Sequence, residues 1–204
     1  MKILAFDTCL DKTYITLSND DKIIKTSVIE SNSENYHSAY LISTIVNILK
    51  EANLTPKDLD CIVTDIGPGS FTGIRACTTV ARVLAQQLDI KAVGVSSLEI
   101  LSRILGGNDI VVLDARKNKA YVYDKEILGA VDLEEVDAMI KGRTVITDNS
   151  LLERISVNAE KAVSYQEAQY PLSEILVKIA LTKQENDWHK LKPLYIQPPP
   201  VFGK

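Results

Sequence analysis

The sequence predicts an α/β protein of two related lobes, each built on a twisted mixed sheet. Three observations carry that expectation. Short apolar runs such as Lys2–Phe6, Cys61–Ile66, Ala92–Val95 and Ile110–Leu113 alternate with longer stretches of helical period. The segment Asp7-Thr-Cys-Leu-Asp-Lys-Thr-Tyr-Ile15 aligns without gaps on Asp114-Ala-Arg-Lys-Asn-Lys-Ala-Tyr-Val122, sharing Asp, Lys and Tyr about half the chain apart. Between the two copies, Gly106-Gly107-Asn108 breaks the chain. The expected division is therefore an N-terminal lobe over residues 1–105, completed by a helix near 171–184, and a C-terminal lobe and tail over 106–204.

Taken in order, Lys2–Asp7 reads as a buried strand ending in an acid. Thr13–Ser18 and Ile23–Ile29 are β-branched runs joined by Asn19-Asp20-Asp21, which makes them a hairpin. Asn35–Glu51 is helical, with Leu41, Ile45, Ile48 and Leu49 on one face and Ile42 and Val46 beside them. That apolar arc is wider than one core requires. Two readings stand: a helix sunk deeply in its own lobe, or one with a second contact surface. Cys61–Ile66 is the next strand, followed by Gly67-Pro-Gly-Ser-Phe-Thr-Gly73 and a helix over Phe71–Leu88 rich in Gly73, Ala76, Cys77, Ala81 and Ala85. Small side chains of this kind let another element approach closely. Ala92–Val95 is a third strand, and Ser96 or Ser97 caps a helix running to Leu105.

The second half repeats the theme with a strand at Ile110–Asp114 and its hairpin mate at Ala120–Tyr123. Helices are expected at Leu133–Lys141 and Ser150–Ile155, with a strand at Thr144–Thr147 between them. Pro171 suits the first position of a helix whose Leu172, Ile175, Leu176 and Ile179 share a face. The tail Gln197-Pro-Pro-Pro200 is expected to lie extended on the surface.

Composition narrows the function. With 46% apolar and 25% charged residues the chain resembles an ordinary globular protein. Its apolar runs are too short to span a bilayer, and its first residues lack a signal peptide's features, so the cytoplasm is the expected location. Cys9, Cys61 and Cys77 form an odd set without CxxC spacing, which fits small apolar fillers in a reducing compartment. A net charge of −4 and scattered basic residues, densest at Arg116, Lys117 and Lys119, argue against tight nucleic-acid binding by this chain alone.

Two places invite chemistry. The loop Gly67–Arg75 joins a strand to a helix N-terminus, a junction that exposes N–H groups to an anion. Gly67, Gly69, Ser70, Thr72, Gly73 and Arg75 are the candidate anion or nucleotide ligands. A helix dipole contributes only ~0.3–1 kcal/mol against the ~8 kcal/mol of micromolar affinity. The competing reading is glycines for a tight turn with Ser70 or Thr72 as a cap. Asp7 and Asp114, at strand ends, are candidates to hold magnesium or activate water, or else local hydrogen-bond acceptors. His37 and His189 stand in no HxxxH or HExxH arrangement, so no metal site is expected.

At these residues the sequence resembles a known family. Lys2-Ile-Leu-Ala-Phe-Asp-Thr8, Gly67-Pro-Gly-Ser-Phe-Thr-Gly-Ile-Arg75, Val93-Gly-Val-Ser-Ser-Leu98, Asp114-Ala-Arg116 and Pro193-Leu-Tyr195 are similar to the TsaB family, also called YeaZ, in order and spacing. The resemblance covers most of the chain and is weakest over 124–196. It implies the fold of actin, Hsp70 and sugar kinases. It also implies a role in placing threonylcarbamoyl on tRNA, as a partner of the catalytic paralogue TsaD and of the ATPase TsaE. Where TsaD carries a Val-His-His-Leu-Glu-Gly-His pattern, this chain reads Val95-Ser-Ser-Leu-Glu-Ile-Leu101, with Ser97 and Leu101 in place of two metal ligands. The resemblance therefore implies no catalytic residues, no metal and no cofactor, and a subunit that acts by binding. Its partner face would be the first two helices, with Tyr36, Tyr40, Gly73, Ala76, Cys77, Ala81 and Ala85 as the contact residues. Alone, the chain could pair with itself through the same face. The alternative is a nucleotide-dependent phosphotransferase or peptidase of the same fold, although the turn after Asp7 has no glycine where backbone must approach a phosphate.

Overall fold

The computed structural model describes residues 1–30, 37–107, 109–167, 171–183 and 187–197. The chain forms two compact units: Met1–Ser97 with Pro171–Leu194, and Leu98–Tyr170 with Tyr195–Lys204.

The first unit opens with β1 (Lys2–Asp7), whose unbroken apolar run is buried on both faces. β2 (Lys12–Asn19) and β3 (Lys22–Glu30) return antiparallel, joined by a turn in which Asp20 takes φ 51°. Through a 3-10 turn at His37–Tyr40 the chain enters α1 (Leu41–Glu51). β4 (Cys61–Asp65) lies parallel to β1, α2 (Phe71–Leu88) follows it, and β5 (Lys91–Val95) lies parallel to β4. The sheet order is β3-β2-β1-β4-β5. Side chains alternate across a strand. Leu4, Phe6, Ile15, Leu17 and Ile62 thus point to the face where α1 and α2 bring Leu41, Ile45, Ile48, Ile74, Cys77, Ala81 and Ala85.

α3 (Ser97–Leu101) is a single short turn and gives way to irregular turns before the glycines, so the helix expected to reach Leu105 is cut short. The second unit contains β6 (Ile110–Arg116), β7 (Lys119–Asp124), β8 (Glu126–Asp132), α4 (Leu133–Met139), β9 (Thr144–Thr147), α5 (Leu152–Asn158) and β10 (Lys161–Ser164). Its sheet order, β8-β7-β6-β9-β10, repeats the first, with the same two antiparallel and two parallel pairings. Ile110, Val112, Val122 and Val145 pack there against Leu133 and Val136 of α4 and Ile155 of α5. This repeated mixed sheet is the α/β architecture that the Asp–Lys–Tyr echo predicts.

β8 and β10 were not expected. Both are edge strands: β8 is half exposed with Gly129 in its middle, and β10 has only four residues. Neither carries the clean alternation that marks a half-buried strand. α6 (Leu172–Thr182) returns to the first unit, with Pro171 just before its first residue. It covers the sheet's other face, where Ser173 Oγ and Thr16 Oγ1 are 2.7 Å apart. The tail prediction at Pro198–Pro200 lies outside the described residues.

The start of α2 is fixed by backbone approach. A Cβ at Gly73 would stand 1.8 Å from the Thr8 carbonyl oxygen, and one at Gly69 would stand 2.2 Å from that of Cys9. Neither neighbour can yield without moving the β1–β2 turn. Gly73→Ala is expected to lower stability by ~3 kcal/mol or more, the range of severe backbone clashes. Gly106→Ala, with nothing within 4 Å of its added Cβ but a φ of 112°, should cost only ~1 kcal/mol of left-handed strain. Urea melts of both variants check the contrast.

Candidate functional site

The loop Gly67–Arg75 is the first candidate. Gly67 N–H donates to Asp65 Oδ1 at 2.7 Å, and Ser70 N–H donates to the Cys9 carbonyl at 2.7 Å. Gly73 N–H donates to Ser70 Oγ at 3.3 Å, making Ser70 the N-cap, and Ile74 N–H donates to the Ser70 carbonyl. These N–H groups point to the protein itself, and Gly69 and Gly73 are closed over by the β1–β2 turn. At Gly67, Ser70 and Gly73 the loop thus serves as a turn and a helix cap. Thr72 and Arg75 are exposed, Arg75 lying 5.9 Å from the Phe71 ring centroid.

The strand-end acids are acceptors. Asp7 Oδ1 receives Cys9 N–H at 2.6 Å, and Asp114 Oδ1 receives Arg116 N–H at 2.7 Å, the same local turn in both units. Asp114 is exposed, whereas Asp7 is wholly buried. Beside Asp7 lies Asp65, a residue the sequence reading passed over although it too ends an apolar run. Its Oδ1 also receives the Ser97 hydroxyl at 2.9 Å. Burial pushes the Asp65 carboxyl up to about 7 against the lowering effect of its Gly67 and Ser97 hydrogen bonds. Burial first and the Asp65 charge second push Asp7 well above the usual carboxylate range.

Asp7, Cys9 and Cys77 bring an oxygen and two sulfurs within 4.8 Å of one another. Cys77 Sγ already accepts Thr8 N–H at 3.1 Å and lies 3.1 Å from Thr8 Oγ1, which itself meets the Gly73 carbonyl at 2.7 Å. Burial raises the Cys9 thiol far above its ordinary value, and its next partner is Cys77. Cys9 and Cys77 are both fully packed within the core of this unit.

The expected partner residues separate. Tyr36 lies outside the described residues, and Tyr40 and Ala76 are half-buried. Gly73, Cys77, Ala81 and Ala85 point inward: Cys77, Ala81 and Ala85 have no exposed surface and pack with Phe6, Ile48 and Ile62. Small residues do permit close approach here, but the element that approaches is the protein's own sheet. This corrects their assignment to an outer contact.

The outer surface is a different stripe. Ile42 and Val46 of α1 are 63% and 57% exposed, and Val83 of α2 is 51% exposed. With Val80, Leu84 and Leu54 they line an apolar groove of about 500 Å³ between the two helices. Val80, Val83 and Leu84 stand at i, i+3 and i+4, a signal present in the sequence that the small-residue pattern concealed.

Comparison with known proteins follows this geometry. The family described as "TsaD: tRNA N6-adenosine threonylcarbamoyltransferase" matches residues 23–183. The Bacillus subtilis (strain 168) protein named "tRNA threonylcarbamoyladenosine biosynthesis protein TsaB" is 36% identical over 124 residues, 59% of this chain and 53% of that one. The Escherichia coli (strain K12) protein of the same name is 27% identical over 155 residues, 71% of this chain and 64% of that one. The chain thus spans about half the length of the first of these relatives. In structure, "YeaZ from Pseudomonas aeruginosa" superposes with a TM-score of 0.75 at 21% identity over 95% of this chain and 99% of that one, a likeness of fold.

The division of α2 into an inner and an outer stripe has a direct test. Ala85→Arg should fail to fold, because an unpaired charge in a core costs several kcal/mol. Val83→Lys should melt within ~0.5 kcal/mol of wild type, as exposed positions do. Circular dichroism and thermal melts of the two variants read the difference.

Proposed function

Because the chain belongs to the TsaD family, within its TsaB (YeaZ) branch, we propose that it is a non-catalytic subunit in the formation of threonylcarbamoyladenosine on tRNA. It binds and supports a TsaD-type catalytic subunit, and a TsaE-type ATPase joins the pair. The observation that carries this reading is the apolar groove between α1 and α2, lined by Ile42, Val46 and Val83 at the surface. Side chains of this size exposed together on two neighbouring helices mark an interaction face. A facing pair of amphipathic helices would bury them, and an interface of ordinary size covers ~1,200–2,000 Å².

The inward turn of the acids supports a binding role. Asp7 and Asp65 are closed off from solvent, and Ser97 holds Asp65 at the position where the catalytic paralogue is expected to carry a histidine. Leu101, at the second such position, is fully buried and has no lone pair to offer a metal. The net charge of −4 leaves tRNA to be held by another subunit.

Ile42→Glu and Val83→Glu, at exposed positions, should keep the wild-type melting curve. Each should weaken assembly with the organism's own TsaD-type subunit by ~100-fold or more, since a carboxylate in a desolvated contact costs about 3 kcal/mol. Light scattering and titration calorimetry of the mixtures measure this. Folded variants that both assemble at wild-type affinity would place the interface elsewhere. Turnover by the isolated chain would end the non-catalytic reading.

A further inference from the structure

Asp7 and Asp65 each follow the Phe6–Thr64 pair, so they are neighbours across the parallel strands β1 and β4. Both side chains are wholly buried. Each uses Oδ1 to receive donors: Cys9 N–H for Asp7, and Gly67 N–H with the Ser97 hydroxyl for Asp65. The remaining oxygens, Asp7 Oδ2 and Asp65 Oδ2, are buried and receive no N–H or O–H from the rest of the protein. The two carboxyl groups also act on each other, through their charges and through a side-chain hydrogen bond that one can donate when protonated. Two ionised carboxylates cannot share a dry site. One proton held between the groups removes that repulsion.

The second unit offers a contrast. There Asp114 lies within β6 and Asp148 follows the last residue of β9; Val112 pairs with Thr147, so Leu113 and not Asp114 stands level with Asp148. Asp148 Oδ2 receives Asp114 N–H at 2.7 Å and its Oδ1 receives Leu151 N–H at 3.1 Å, while Asp114 is exposed to solvent. That pair is satisfied without a shared proton.

We propose that Asp7 and Asp65 hold one proton between them at neutral pH, and that this proton latches the β1–β2 turn to the Gly67–Ser70 turn and so fixes the start of α2. Each carboxyl carries one turn on its other oxygen. Thr8 and Cys9 then close over Gly73 and Gly69, and Cys9 carbonyl takes the Ser70 N–H. Losing the proton places two negative charges side by side and loosens both turns together. The titratable groups that act on the pair are the thiols of Cys9 on the turn and Cys77 on α2, with Tyr14 on β2, itself near Asp11 and Glu30. None of these brings a positive charge to offset the carboxylates.

The direction with pH follows. A carboxyl whose pKa is raised in the folded protein keeps a proton that the unfolded chain, with its ordinary value of 3.8, has already released. Stability therefore falls as pH rises from about 4 through the folded values, about 7 for Asp65 and well above the ordinary 3.8 for Asp7. The experiment is a set of thermal melts from about pH 5 to about pH 9 on the full chain as wild type, Asp7→Asn and Asp65→Asn. An amide in either place keeps the Oδ1 acceptor and supplies a permanent donor to the other carboxylate. The wild-type melting temperature should fall across this range, and the slope should be at least halved in each variant. Carboxyl-carbon NMR of the wild type should show one protonated aspartate at about pH 7, which reads the proton directly if a variant does not fold. Protection of the Thr8 and Gly73 amides from hydrogen exchange, taken against the intrinsic rate at each pH, should fall at high pH in the wild type alone. Two ionised aspartates at neutral pH, a flat wild-type profile, or unchanged slopes in both folded variants would each overturn the proposal.

Discussion

Everything in the first unit depends on how closely the β1–β2 turn can approach the start of α2. Thr8 and Cys9 carbonyls sit where a Cβ on Gly73 or Gly69 would be, at 1.8 and 2.2 Å. That distance excludes any side chain at both positions and sets the helix down on the sheet with no layer between. Ala81 and Ala85 then continue the close packing about two and three turns further on, with no exposed surface. A run of small residues of this kind is required because interior packing leaves no room for an extra methyl group. The Gly-Pro-Gly-Ser loop, which from composition alone suggests phosphate binding, is thereby explained as the seat of a helix.

The close inner face has a consequence for the outer one. With its small residues turned inward, α2 presents Val80, Val83 and Leu84 away from the sheet, next to Ile42 and Val46 of α1. Val80 and Leu84 still rest partly on the core, whereas Ile42, Val46 and Val83 are more than half exposed among the described residues. Free energy of order 25 cal/mol for each Å² of apolar surface removed from water is available to whatever covers them.

Duplication and divergence are both visible in the strand-end acids. Each unit pairs its central strand antiparallel on one side and parallel on the other, and each places aspartates at or near the ends of the two parallel strands, where they hold the next turn. In the second unit solvent and backbone N–H groups satisfy these acids. In the first, burial leaves two oxygens to each other, which turns the same motif into a pair whose charge state matters to the fold.

The sequence by itself determined the α/β class, the central strands and the helix faces at Leu41–Leu49 and Leu172–Ile179, because apolar period and turn residues are local properties of the chain. It also carried the family resemblance, in motifs whose order is linear. It could not find β8 or β10, since an edge strand is defined by a neighbour and not by its own pattern. Nor could it decide which side of α2 faces the sheet: Ala81 and Ala85 read equally well as contacts with an outside helix or with an inside one. Only the tertiary structure put Thr8 against Gly73 and thereby chose. The Asp7–Asp65 pair escaped notice for the same reason, because parallel pairing of β1 with β4 joins residues far apart in sequence, and burial, not residue type, makes their shared oxygens costly.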